Sequence, residues 1–204
     1  MALKRSRIFW GFLLALVALG LVRWVSGTPH SMRRGVGAVE TRPARLADPA
    51  EAARIAAASW ENDESFEIGA VELDDQGVFW DRRQLEIATA KIRAAKATGA
   101  IVVVFVHGWQ HDGRVCDGNF SCLRESLRYL AEAEESFSHL RGGVRRRILG
   151  IFIGWRGAST RVPALAQTSF WERLEAAHRV GGRGDVLAAF SAIHAATEEL
   201  RATA

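Results

Sequence analysis

The chain reads as an α/β protein, a three-layer sandwich around a mostly parallel sheet, with an apolar targeting helix in front of it. Three observations predict this. Apolar strands alternate with amphipathic helices along the second half of the chain, the pattern that builds parallel sheets with helices on both faces. Two of the strands, "AIVVVFVH" and "RILGIFIGW", are unbroken apolar runs, as expected of strands covered on both sides. Both runs stop abruptly at glycine and tryptophan, in His107-Gly108-Trp109 and in Gly154-Trp155-Arg156-Gly157, and ligands of such sheets bind at the carboxyl ends of strands.

Taken in order, the elements begin with residues 1–27, a signal peptide or membrane anchor. Lys4, Arg5 and Arg7 form a positive flank, and Ile8 to Val22 is an uncharged apolar run of 15 residues. That is short for a full span of about 20 residues and right for the apolar region of a signal sequence. Val25-Ser26-Gly27 offers small residues for cleavage. If the segment is kept, the basic residues stay cytoplasmic, with Trp10 and Trp24 near the two interfaces. Either way the rest is exported. The location implied is a bacterial cell envelope, with the chain anchored in the inner membrane facing the periplasm or released.

Residues 28–64 read as a linker. Thr28 to Pro49 holds three of the four prolines, and "DPAEAARIAAASW" is a short helix with Asp48 as N-cap and Pro49 at its first position. The folded unit is expected over residues 65–204. "FEIGAVELDDQGVFW" predicts two strands joined at "DDQG", with glycine where the turn needs positive φ. In "DRRQLEIATAKIRAAKATG", Leu85, Ile87, Ala88, Ile92 and Ala95 lie near helical spacing, and Gly99 is a stop. A helix over roughly Asn119 to Ser138 follows the first apolar strand. "FWERLEAAHRV" and "DVLAAFSAIHAATEELRA" are two more, the second capped by Asp185.

Composition excludes some functions. Net charge is only +4, and the basic residues cluster at segment edges instead of along one element with stacking aromatics. No nucleic-acid partner is expected. Cys116 and Cys122, in "CDGNFSC", either close a small loop in an oxidising compartment, stabilising by the low end of roughly 2–4 kcal/mol, or remain free thiols. Their spacing and number do not fit a zinc site. His107, His111 and Asp112 form a histidine-rich group, but Gly108 and the strand before it argue against the helical spacing that metal-binding histidine pairs use. No metal and no cofactor are expected.

The chemistry lies in the first strand end. Gly108 lets the backbone turn tightly, so the amides that follow can face a developing oxyanion, where one donor is worth roughly 2.7–4 kcal/mol. This strand-His-Gly-aromatic turn resembles the oxyanion-hole loop of α/β-hydrolases. "HGWQHD", "GWRG" and "FWERLEAAHRVG" look like exported or membrane-linked bacterial members of that family, and the element order agrees from Phe66 to the C-terminus. The resemblance implies that the amides of Trp109 and Gln110 are the oxyanion donors, that Gly108 permits the turn, and that His107 is structural. It implies a serine hydrolase acting on a small ester or amide. It also implies a Gly-x-Ser-x-Gly elbow, an acid and a final histidine, and no such elbow is present. Gly157-Ala158-Ser159-Thr160-Arg161 is nearest and ends in arginine. The sequence therefore resembles the N-terminal part of an α/β-hydrolase, an incomplete sandwich without a triad and inactive by itself. It would leave the edge of "IVVVFV" open and prone to aggregation. The alternative is a membrane-anchored α/β module that binds and does not catalyse.

Overall fold

A computed structural model describes residues 10–21, 59–158, 167–182 and 184–202. Residues 10–21 form one helix. No helix among the described residues is long and apolar enough to cross a membrane, so the expected targeting helix finds no support there. The small-residue cleavage site, the linker from Thr28 to Pro49 and the helix from Asp48 lie outside the described residues.

The sheet has four strands: β1 (Trp60–Asn62), β2 (Glu67–Glu72), β3 (Ala100–Val106) and β4 (Arg147–Gly154). Their order is β1-β2-β4-β3. β1 runs antiparallel to β2, with Trp60 opposite Gly69, and the other pairings are parallel. The chain is thus a mixed α/β fold with a mostly parallel sheet. β1 falls inside the stretch expected to be linker. A three-residue strand without alternation gives almost no signal, and it forms because Trp60 buries its ring on the sheet and donates from Nε1 to Glu67 at 2.8 Å.

The expected hairpin after β2 shrinks to a turn and one bridge, Leu73 to Phe79. Its turn is as the residues dictate. Asp74 Oδ1 accepts from Gln76 and Val78 amides at 2.8 and 2.9 Å, and Gly77 takes φ 75°.

Helix α1 (Arg82–Arg93) starts at Asp81, whose side chain accepts from the Arg83 amide, and turns Leu85, Ala88 and Ile92 inward. Helix α2 (Gly118–Phe137) is capped by Asp117 and buries Phe120, Leu123, Leu127 and Ala131. A 3-10 turn (Ser138–Arg141) leads to β4. Helices α3 (Phe170–Gly181) and α4 (Gly184–Arg201) complete the described fold. Asp185 sits inside α4 and does not cap it in the expected way. Its Oδ2 accepts from the Phe79 amide at 3.0 Å, tying the helix start to the turn after β2.

Strand alternation distributes the core over both faces. Val71, Leu149, Ile151 and Ile153 pack with α1, α3 and α4. Ile68, Ala70, Ile148 and Phe152 pack with α2. At the amino end of β4, Glu134 of α2 is buried. The Arg146 side chain, then its amide and charge and that of Arg141, outweigh burial and hold its carboxyl at about 2.

Candidate functional site

The two strand ends singled out above form one structural unit. His107 Nε2 accepts from the Trp155 amide at 2.9 Å, and Trp155 Nε1 donates to the His107 carbonyl at 3.1 Å. The rings lie parallel, 5.6 Å between centroids. Gln110 N–H donates to the Gly157 carbonyl at 3.0 Å, and Gly157 N–H to the His111 carbonyl at 2.9 Å. Gly157 makes this approach possible, since a Cβ there would stand 2.5 Å from the His111 oxygen and 2.7 Å from that of Gly108. Gln110 adopts φ 68° to aim its amide, uncommon for a residue with a side chain.

Both nitrogens of the His107 ring are engaged. Nε2 must be unprotonated to accept from Trp155, so Nδ1 carries the proton and meets the Gly108 carbonyl at 2.8 Å. Burial lowers the His107 pKa from 6.5, more than the Gly108 bond and nearby Asp117 and Asp112 raise it. A neutral, doubly bonded ring of this kind serves as a latch, not as a base.

The two amides expected to face an oxyanion therefore differ. That of Gln110 is spent on Gly157. That of Trp109, just past the exposed Gly108, has no hydrogen-bond partner among the described residues. The turn borders an open apolar cavity of about 360 Å³ at the carboxyl ends of β3 and β4, lined by Leu73, Ile153, Trp155 and residues of α3 and α4. Its volume lies in the range of small-molecule sites, about 300–1,000 Å³.

Behind Arg173, which lines the cavity, lies a charged cluster that no local pattern signals. Asp75, from the turn after β2, accepts from Arg156 and from Arg173 Nη1 at 2.9 Å. Arg173 also donates to the Arg156 carbonyl at 2.9 Å and to Glu172 at 2.6 Å. Its side chain is only 1% exposed. Burial opposes ionisation of Asp75, and the two guanidiniums overcome it and keep the carboxyl below 3.8. Burial likewise opposes the charge on Arg173, and Asp75 and Glu172 outweigh it, raising its pKa. Each of these residues is unremarkable in its own segment. They meet across sequence separations of 81 and 98, which local pattern cannot reveal.

The remaining candidates lie apart. His111 Nδ1 pairs with Asp117 at 3.1 Å, and Asp112 with Arg114 at 2.9 Å. Among the described residues no group of three His, Cys, Asp or Glu side chains is placed to hold a metal ion. Cys116 and Cys122 are exposed and free, so the small loop is not closed by a disulfide. Ser121, Ser126, Ser136 and Ser138 give their hydroxyl protons to carbonyls of their own helix at 2.8–3.1 Å, an engagement unlike that of an activated nucleophile. Ser159 lies outside the described residues. Scans against protein-family models, curated proteins and solved structures found no match for this chain.

Proposed function

We propose that the turn after β3 is the carbonyl-binding half of a site of the α/β-hydrolase type. The Trp109 amide is its oxyanion-facing donor, and the adjoining cavity is its acyl pocket. The observation that carries this is the unpartnered Trp109 N–H at the edge of an apolar cavity, on a turn held by four hydrogen bonds between its two strand ends. A fixed donor beside an apolar pocket stabilises charge on a carbonyl oxygen because it needs no reorganisation. One expected part takes another role in this reading: Gln110 holds the turn instead of donating to ligand, while His107 locks it in the structural role expected of it. The site recognises an ester or amide, and cleavage requires a nucleophile from outside the described residues.

The test pairs two measurements on the full chain. A serine-directed fluorophosphonate should leave it unlabelled. Ethyl decanoate carrying a 13C carbonyl should bind with its carbonyl stretch moved to lower frequency, the mark of a hydrogen bond to that oxygen. A bound ester with an unshifted carbonyl would sink the proposal, and labelling would show that the chain carries its own nucleophile.

A further inference from the structure

The cavity opens within an apolar surface that continues past its own lining. Val106, Phe170, Leu174 and Phe190 line the cavity and are exposed as well. Trp171 sets its ring edge-on against Phe170, 5.2 Å between centroids, and is 73% exposed. Leu187, one turn before Phe190 on α4, is 70% exposed. Charge stays away from this face. α4 has no Asp, Glu, Lys or Arg from Val186 to Thr197, although Leu187, Phe190, Ser191 and His194 in that stretch are exposed. On α3, Glu172, Glu175 and Arg179 fall by helical spacing on the side away from Phe170 and Leu174. Helix α2 shows what a helix face in water looks like on this chain, with Glu125, Arg128, Glu132 and Glu135 exposed along it. Scattered apolar residues are normal on a surface, but six around one opening mark a place that meets an apolar partner.

A second stretch has the same need. Every residue of the helix at 10–21 is exposed, and none is charged. A helix that is apolar all round is stable when buried, in a core or in lipid. Lys4, Arg5 and Arg7 precede it and Arg23 follows it, charges that complement an anionic headgroup layer. Residues 22–58 join the two surfaces, and a chain of that length can span up to roughly 120 Å at about 3.3 Å per residue. Both surfaces can therefore rest on one plane. A second copy laid against α3 and α4 would cover that face and leave the helix at 10–21 in water, whereas a bilayer takes both.

We infer that the face formed by α3, α4 and the end of β3 docks on an anionic lipid bilayer together with the helix at 10–21, so that the cavity opens onto the acyl layer. Neither contact has to cross the membrane. Trp171 enters at the interfacial depth that tryptophan favours, with Leu187 beside it. This deepens the proposal above by naming the source of its ester, a lipid whose acyl chain enters the cavity without passing through water. It rests on that reading for the ester alone; the docking stands without it.

The experiment mixes the full chain with large vesicles of phosphatidylcholine containing one quarter phosphatidylglycerol and separates bound from free by flotation. The chain should partition onto the vesicles. Leu187→Asp should weaken partition by roughly tenfold or more, since a carboxylate would then have to enter the apolar layer. Trp171→Gln should weaken it severalfold. Both side chains stand mostly in water, so the urea midpoint should not fall in either variant, and a variant that keeps it decides if the other does not. No partition at all would overturn the inference, as would partition that neither variant weakens, which would assign the binding to the helix at 10–21 alone. A dimer that Leu187→Asp dissolves in light scattering, with no change in partition, would give the face to a second copy and overturn it too. Partition that depends on Leu187 and Trp171 alongside an unshifted ester carbonyl would keep this face and remove the hydrolase-type reading. A shifted carbonyl in a chain whose partition ignores both variants would do the reverse.

Discussion

Strands β3 and β4 lie side by side in register, from Ala100 against Arg147 to Val106 against Ile153. β4 has a neighbour on each side and is buried from Ile148 to Gly154. β3 pairs with β4 alone among the described residues, and each of its residues keeps partial exposure. Helices cover both faces of each strand, through Val102 and Val104 on one side and Ile101, Val103 and Phe105 on the other. The difference is therefore the open edge, a row of backbone groups without a strand to meet them. It teaches that the catalytic-looking turn grows from the less protected strand and depends on the other for its order. The largest expected effect follows from the edge. In hydrogen exchange, β4 amides should be protected up to the global stability, commonly about 5–15 kcal/mol. Alternate amides of β3, those facing away from β4, should exchange with little protection. Uniform protection along β3 would show that its edge is paired in solution.

A matched pair of substitutions breaks the comparison at one point. Phe105 and Phe152 are register partners with rings stacked 5.5 Å apart. Phe152 is fully buried among Phe105, Phe120 and His107, whereas Phe105 is half-buried. Phe152→Ala should cost about 3–5 kcal/mol in urea melts. Phe105→Ala should cost about half that, because less of its surface leaves water on folding. Equal losses would mean that something covers the β3 edge in solution.

The same pair of strands marks where reading the sequence succeeded and where it stopped. Both were visible as buried apolar runs, and the helices that flank them were visible from spacing such as Leu85, Ala88 and Ile92. The turn at Gly108 and the second strand end at Gly157 were recognisable one at a time. Their union was not, since it depends on Gln110 N–H reaching Gly157 and on His107 reaching Trp155. Centre and edge also look alike in sequence, because helices cover both strands and only pairing separates them. The Asp75, Arg156 and Arg173 cluster left no local trace, for each residue also suits a turn, a strand end or a helix. β1 was hidden by its length.

The smallest effect tests the tie between the two strands. The neutral His107 ring that ends β3 holds the amide that follows β4. Its folded pKa lies below 6.5, chiefly through burial, so as pH falls through 6.5 the unfolded chain takes up a proton that the folded chain refuses. Stability from this group is complete above the unfolded value. It declines with acidity toward the lower folded value, by at most about 1.4 kcal/mol per pH unit. Urea midpoints measured from pH 7.5 down to 5.5 should fall accordingly, and His107→Gln should flatten the slope in that window while lowering stability at pH 7.5. A wild-type profile as flat as that of the variant would mean that the folded ring accepts the proton. Nε2 would then be a donor unable to hold the Trp155 amide, and beyond the sheet ladder the two strand ends would be tied only by the Trp155 side chain and the backbone bonds of Gly157.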